Sequence, residues 1–280
     1  MAYDAKIILD SISPDGVRLT TMVLTYPRMI HAEVMTYRVF SRNASSSRAI
    51  PVERMISQVE TDPAMPVWWG KTQKGMAARE ELSGAEKAIV QERWLFARDQ
   101  AVESAGVMLR AGCHRQLVNR ILEPWMFITV IVSATDWTNF FAQRIHPDAQ
   151  PEIRRIAELA REQYLASTPL AVRVGEWHTP FIQPDEVDGL TVEERKRVSV
   201  ARCARVSYLT PDGVRNVEAD LRLFERLRSA NPPHASCFEH VATPVEPHSL
   251  DRPKVLGCFR GWRQLRHSIP NENVMKLLVE

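Results

Sequence analysis

The stretch that organises the chain is residues 17–48, VRLTTMVLTYPRMIHAEVMTYRVFSRNASSSR. Its first ten residues are mostly apolar and β-branched, which predicts a strand that Pro27 ends. Apolar residues then recur at helical spacing over residues 28–41 and predict a helix. The small polar residues 41–47 have little to bury in a core, so they predict a loop.

A second strand is predicted just upstream, at residues 6–12. The turn between the two strands is Ser-Pro-Asp-Gly at residues 13–16, in which proline presets φ and glycine supplies a positive φ. A β-hairpin is therefore expected at the start of the chain. The same chemistry returns as TPDGVR at residues 210–215, against SPDGVR at residues 13–18.

Further elements are expected downstream. Residues 126–132 fit a buried strand or a buried helix, and their length does not decide between the two. Residues 168–190 hold three prolines and resemble a linker. The predicted organisation is a body over 1–167, the linker at 168–190 and a second block over 191–280. Helices are expected near residues 51–58, 83–109, 114–122, 136–144, 149–166, 192–206 and 217–229.

Bulk composition excludes several classes of protein. The chain has 280 residues, of which 45% are hydrophobic and 25% charged, as is usual for a globular protein. Its net charge of +2 gives no general affinity for polyanions, so no nucleic-acid partner is expected. The four cysteines form no C-x-x-C pair, so neither a disulfide framework nor a bound metal is expected.

Targeting to a membrane is not expected either. The N-terminus lacks a basic segment followed by a long apolar one, which a signal peptide would have. The most apolar run, residues 125–134, is shorter than the roughly 20 residues that cross a bilayer. A cytoplasmic protein is predicted.

Residues 37–48 form the most distinctive polar segment of the chain. Its hydroxyl groups and backbone amides suit phosphate oxygens, while guanidinium groups neutralise their charge. The segment therefore predicts an oxyanion-binding cradle, with an ordinary solvated loop as the alternative. Its polar members are Arg38, Ser41, Arg42, Asn43, Ser45, Ser46, Ser47 and Arg48.

This segment resembles the signature of the flavin-dependent thymidylate synthases, whose fuller form is close to R-H-R-x-x-S-x-N-E-x-S-x-R. Two further stretches follow in the order of that family. Residues 112–115 (GCHR) resemble its G-x-P-R, and residues 139–153 resemble its N-F-L-x-L-R-x-x-x-H-A-Q-x-E-I. The matching residues are Arg38, Ser41, Asn43, Ser46, Arg48, Arg115, Asn139, Arg144, Ala149, Gln150, Glu152 and Ile153.

Four positions depart from the family pattern. Thr36 and Tyr37 replace the first two residues of R-H-R, Ala44 replaces the glutamate, and Asp148 replaces a histidine. In the family these positions contact flavin or nucleotide, so the departures leave both the chemistry and the preferred base open.

The missing family elements occur in the C-terminal block. Residues 204–208 (ARVSY), 238–240 (FEH) and 263–272 (RQLRHSIPNE) resemble segments that normally precede or form the R-H-R motif. The N-terminal hairpin and the tail thus resemble two divergent copies of one module. Our hypothesis is that Arg266 and His267 replace the lost R-H pair, and Glu272 the lost glutamate. A structural cap is the alternative.

The resemblance implies an α+β fold with a mixed or antiparallel sheet, helices to one side and a central helical bundle. It also implies reductive methylation of dUMP, with methylenetetrahydrofolate and NADPH as co-substrates and FAD as cofactor. Family members are homotetramers, and for a duplicated chain we expect a homo-oligomer, a dimer or a tetramer.

Individual residues receive roles from the same resemblance. Ser46 and Arg144 would be catalytic. Nucleotide binding would fall to Ser46, Ser47, Arg48, Arg115, Arg144 and Glu272. Flavin contacts would come from Arg38, Ser41, Asn43, Asn139, Ser207, His240, Arg266 and His267.

Two alternatives stay open at this point. The same scaffold could act on dCMP or UMP, or add a hydroxymethyl group, because one buried partner can discriminate strongly between bases. A non-catalytic nucleotide-binding protein that has lost the flavin is the other alternative.

Overall fold

The computed structural model describes residues 3–206, 215–230, 233–246 and 258–269. Ser207, Glu272 and all but the last residue of the repeated turn at 210–215 lie outside the described residues. The expectations for these positions therefore stay predictions.

A mixed sheet forms the centre of the fold. Its strands run in the order β3-β4-β2-β1-β5, with antiparallel pairing throughout except for the parallel pair β1–β5. The predicted α+β class and the N-terminal hairpin are both confirmed. The strands are β1 (Asp4–Ile12), β2 (Arg18–Pro27), β3 (Ser41–Ala44), β4 (Phe127–Ala134) and β5 (Leu170–Ala171).

Helices and a small second ribbon complete the chain. The ribbon pairs β6 (Ala242–Pro244) with β7 (Trp262–Gln264). The helices are α1 (His31–Val34), α2 (Val52–Thr61), α3 (Gly84–Arg110), α4 (Arg115–Val118), α5 (Thr138–Arg144), α6 (Pro151–Ala166), α7 (Val192–Ala204) and α8 (Val217–Ser229). Short 3₁₀ turns cover Arg28–Ile30, Asn119–Trp125, Pro184–Glu186, Ala235–Glu239 and Leu265–Ser268.

Two local predictions were wrong. The helix expected over residues 28–41 is a 3₁₀ turn followed by the single turn α1, because Tyr37 and Phe40 turn inward to stack in the core. The loop expected at residues 41–47 begins as β3, because the edge of β4 offers ladder partners to Ser41–Ala44. Residues 126–132, which sequence left undecided, lie in β4.

Both faces of the sheet are covered, whereas helices were expected on one side. Side chains alternate along β2 and β4, so that one set packs on α5 and α6 while the other meets the C-terminal block. The first set includes Met22, Leu24, Tyr26, Val130 and Val132. The second includes Ile131, which packs with Val200, Cys203, Phe224 and Phe238.

The segment 168–190, expected as a linker, contributes to this packing. It contains β5 and places His178 in the interior with 0% exposure. The domain boundaries proposed from sequence stay predictions.

A helical bundle lies to one side, as expected. The 27-residue helix α3 packs against α2, α4 and the 3₁₀ turn at 119–125. The described residues cover one side of α3, and Phe96 on its other side is 52% exposed.

Phe140 provides a test of the core on the α5–α6 side. It is 1% exposed and contacts the rings of Tyr37, Phe40 and Trp137. Truncation leaves a cavity, so Phe140→Ala should lower the free energy of unfolding by about 3–5 kcal/mol in urea denaturation. The matched change Phe96→Ala should stay within about 0.5 kcal/mol of wild type. Equal losses in the two variants would contradict this packing.

Candidate functional site

Strand β3 joins the polar segment to the C-terminal block. Ser41 is 1% exposed, and its Oγ accepts a hydrogen bond of 2.8 Å from Gln264 Nε2. Asn43 Nδ2 donates to the carbonyl oxygen of Cys203 at 3.1 Å. Two of the residues expected at the flavin site thus bind the C-terminal block, and one of them, Ser41, binds the tail segment 263–272.

The loop after β3 is held by the backbone of β4 and by a side chain from the 3₁₀ turn that precedes β4. Ser45 exchanges two hydrogen bonds with the backbone of Thr129, at 2.8 and 3.1 Å. Asn119 is fully buried, and its Nδ2 donates to the carbonyl oxygens of Ser47 at 2.7 Å and Ile50 at 2.9 Å. Sequence reasoning missed Asn119, since an asparagine next to a short helix carries no distinctive pattern.

Within the loop the expected phosphate ligands differ in environment. Ser47 is buried, and its Oγ donates to Glu123 at 3.3 Å. Glu123 is itself paired with Arg28 at 3.1 Å and Arg120 at 2.7 Å. Arg48, in contrast, is exposed at the end of the loop.

Arg115 lies on α4, the helix just before Asn119. It is exposed at the start of α4, and Asn119 follows it by one helical turn. Arg115 thus lies four residues before the asparagine whose side chain holds the serine loop.

Arg144 belongs to a second polar group, at the end of α5. Its Nε donates to the Tyr37 hydroxyl at 2.7 Å, and its Nη1 lies 3.4 Å from Glu33 Oε2. The Tyr37 hydroxyl in turn donates to Gln143 at 3.0 Å. Tyr37 stands where the family has histidine, and here it orients an arginine.

Arg38 and Asn139 are exposed on the elements next to this group. Arg38 follows Tyr37 in the turn between α1 and β3, and Asn139 lies on α5 with Arg144.

The C-terminal residues form a charged group beside β3. Arg266 is paired with Glu239. Burial raises the pKa of the Cys258 thiol, and the charges of Glu239, Arg42 and Arg266 also act on it. Burial lowers the pKa of Arg42, on which Glu239 and Cys258 act in the opposite direction. Arg266 of the tail is thus electrostatically close to Arg42 of the first motif.

Two histidines of the tail carry buried, unbonded nitrogens. His240 is 0% exposed, and its Nε2 has no hydrogen-bond partner among the described residues. The Nε2 atom of His267 is likewise buried without a partner within that part of the chain. Buried polar atoms are normally bonded, so such atoms are candidates for contacts with a ligand.

A chain of buried polar groups leads to His240 and was not predicted from sequence. His178 Nδ1 lies 2.7 Å from Ser11 Oγ, and its Nε2 lies 2.8 Å from Thr21 Oγ1. Thr21 Oγ1 is 2.5 Å from Ser133 Oγ, which is 2.8 Å from His240 Nδ1. Strand hydroxyls normally indicate only a strand, and His178 lies in the proline-rich segment, so nothing in the sequence joined them.

The described residues thus place serine hydroxyls, buried imidazoles and arginines on an α+β scaffold, and arginine is a common partner of phosphate oxygens. The chain belongs to the Thy1 family, described as thymidylate synthase complementing protein, whose match covers residues 16–170, just over half of the sequence. That range includes β2, β3, the serine loop, Arg115 and Arg144.

Solved structures with a related fold include the UMP/dUMP methylase PolB from Streptomyces cacaoi. Its complexes with 5-Br dUMP and 5-Br UMP are each 13% identical to this chain, with TM-scores of 0.46 and 0.44. The alignments cover 58% of this chain and 90% and 88% of the respective methylase chains. No curated protein sequence matches the chain.

Among the described ranges, no helix combines the length and apolar character that crossing a bilayer requires.

The two buried histidines should make folding stability depend on pH. Burial lowers the pKa of both His178 and His240 from 6.5 to about 3. Between these values the unfolded chain binds protons that the folded chain does not, so this stability is present above pH 6.5 and is lost as the pH falls. Each histidine should lower the free energy of unfolding by about 1.4 kcal/mol per pH unit below pH 6.

His178→Gln removes one of these groups. In urea denaturation at pH 4.5, 5.5 and 7.5, the variant should show a slope shallower by about 1.4 kcal/mol per pH unit. His146→Gln, which changes an exposed histidine, is the matched control and should keep the wild-type slope. An unchanged slope in His178→Gln would show that His178 is protonated in the folded protein.

Proposed function

We propose that this protein is a flavin-dependent enzyme that methylates C5 of a pyrimidine nucleotide. The specific reaction is conversion of dUMP to dTMP, with methylenetetrahydrofolate as carbon donor and NADPH as reductant through FAD. The observation that carries the proposal is that β3, which lies in the Thy1 family region, is joined to the C-terminal segment R-Q-L-R-H (residues 263–267) by the hydrogen bond from Gln264 to Ser41.

The residues present fit a flavin. His240 and His267 match family positions that contact it, and both have a buried Nε2 atom without a partner in the described ranges. When bound, the flavin would supply hydride transfer between NADPH and the carbon added to the nucleotide. Arg266 would contribute positive charge beside the flavin. Arg38 and Asn139 are exposed and would also contact the flavin. Ser41 and Asn43 would contribute indirectly, because their hydrogen bonds fix the position of β3 beside the flavin.

The nucleotide would be held by the loop and the two arginines of the later motifs. Ser46 and Arg48 would bind its phosphate, with Ser47 fixing the loop through Glu123. Arg115 would approach from α4. Arg144, oriented by Tyr37 and Glu33, would stabilise negative charge on the base carbonyl as C5 becomes nucleophilic.

A second candidate substrate follows from Tyr37. Because its hydroxyl orients both Arg144 and Gln143, the pattern of donors beside the base differs from that of a site with histidine at this position. The same enzyme chemistry on UMP or dCMP, or with hydroxymethyl as the added group, is therefore the alternative. We further expect a homo-oligomer and a cytoplasmic location.

The primary test is spectroscopic. The purified protein should show a flavin absorption spectrum after incubation with FAD, and anaerobic NADPH should bleach it faster when dUMP is present. Product mass after addition of methylenetetrahydrofolate should then identify the group transferred. A response to dCMP or UMP in place of dUMP would select the second candidate. No flavin binding at excess FAD would leave a non-catalytic nucleotide-binding protein.

The contribution of the tail can be tested at Arg266. If Arg266 replaces the missing arginine of the family motif, Arg266→Ala should weaken FAD or dUMP binding by about tenfold or more, as expected for loss of a charge-assisted contact. Arg266→Lys should restore part of it. Arg263→Ala, which alters an exposed arginine of β7, is the control and should bind as wild type. Unchanged FAD and dUMP affinities in Arg266→Ala would indicate that the tail is a structural cap.

A further inference from the structure

One face of the sheet carries a row of hydroxyl side chains. Thr21 on β2 lies opposite Ser133 on β4, and Ser133 lies opposite Ser41 on β3. All three residues are no more than 1% exposed. Burying a hydroxyl without a partner costs free energy, so each of them needs a bonded neighbour on this face.

His178 and His240 provide those neighbours for Thr21 and Ser133. The resulting chain runs from Ser11 through His178, Thr21 and Ser133 to His240, with contacts of 2.5–2.8 Å. Both imidazoles are neutral at physiological pH, because burial lowers each pKa to about 3. Ser11, Thr21 and Ser133 therefore each carry one hydroxyl hydrogen, and the two imidazoles each carry one N–H. These five hydrogens are available for the four hydrogen bonds of the chain.

The direction of the chain follows from this count. Ser11 is 1% exposed, and His178 Nδ1 is the partner of its Oγ among the described residues. If Ser11 donates, His178 accepts at Nδ1 and donates from Nε2 to Thr21. Thr21 must then donate to Ser133, and Ser133 to His240 Nδ1. A neutral imidazole that accepts at Nδ1 carries its hydrogen on Nε2.

The other arrangements are less favourable. If the chain runs in reverse or changes direction midway, one hydroxyl hydrogen is buried without an acceptor, and the His240 Nε2 lone pair is also unbonded. The arrangement that starts at Ser11 leaves one unmatched hydrogen, the N–H at His240 Nε2, and an unused lone pair on Ser11 Oγ, which is already bonded as a donor. Each additional unsatisfied buried group is costly, so the arrangement with one such group is preferred.

We propose that Ser11, His178, Thr21 and Ser133 are positioning residues that fix His240 as a hydrogen-bond donor at Nε2. The ligand group opposite this nitrogen is then an acceptor, such as a ring nitrogen or carbonyl oxygen of a bound heterocycle. This identification of the ligand rests on the proposed function, whereas the direction of the chain does not. The residues involved lie on β1, β2, β4 and the segment before α7, far apart in sequence.

The direction can be measured in the ligand-free protein. Nitrogen-15 NMR of the imidazoles distinguishes the two neutral tautomers, and His178→Gln and His240→Gln assign the signals. Both histidines should show a protonated Nε2 and an unprotonated Nδ1. A proton on Nδ1 of either histidine would overturn the proposal. Because neither flavin nor nucleotide is present, this result is independent of whether the proposed reaction occurs.

A substitution of Ser11, at the end of the hydrogen-bonded chain opposite His240, gives the sharper test. Ser11→Ala removes the donor to His178, after which both directions leave the same number of unsatisfied groups. His240 should then populate both tautomers, with the two ring-nitrogen shifts moving towards each other. Ser11→Thr keeps the hydroxyl and should retain the wild-type spectrum. An unchanged His240 spectrum in folded Ser11→Ala would mean that the chain does not set the tautomer.

Ser133→Ala and Ser133→Thr form a second pair, should Ser11→Ala fail to fold. Loss of the Ser133 hydroxyl removes the donor to His240 Nδ1 directly, so mixed tautomers are again expected. Ser133→Thr should keep the single tautomer. A retained single tautomer in Ser133→Ala would contradict the proposal, because His240 would then hold its hydrogen on Nε2 without help from Ser133.

Discussion

The buried contact between Thr21 and Ser133 constrains much of the remaining structure. Two hydroxyls at the centre of a sheet face, 2.5 Å apart, cannot be covered by apolar side chains alone. The segment that covers them has to carry polar groups at matching positions, and His178 and His240 do so. The C-terminal block is therefore fixed in place on the sheet by hydrogen-bond geometry as well as by the apolar cluster around Ile131 and Phe238.

The same constraint connects the two halves of the candidate site. Ser41 continues the hydroxyl row on β3 and is bonded by Gln264, so the loop that follows β3 and the tail segment that follows Gln264 meet at one place. Arg42 and Arg266 lie within electrostatic range of the same carboxylate, Glu239. Residues 38–48 and the tail segments at 238–240 and 263–267, which we propose share the family motif, are thus joined through Ser41, Gln264 and Glu239.

Much of this could be read from the sequence where local chemistry decides the structure. The Ser-Pro-Asp-Gly turn specifies the hairpin, and the motif at residues 38–48 identified the family. Strand β3 could not be foreseen, because a polar segment becomes a strand only when a neighbouring edge is available to pair with it. The buried position of His178 could not be predicted either, because its proline-rich surroundings predict a linker. Its two hydrogen-bond partners lie 157 and 167 residues away in the sequence.

The bond between Ser41 and Gln264 joins residues 223 positions apart. During synthesis on the ribosome, the face of the sheet that carries Thr21, Ile131 and Ser133 is therefore complete long before its cover has been made. Contacts of such long range form slowly, and an uncovered face is a point of aggregation while they form. The arrangement delays assembly of the polar region until nearly the whole chain has emerged, so a truncated product would carry the family motif without a formed site.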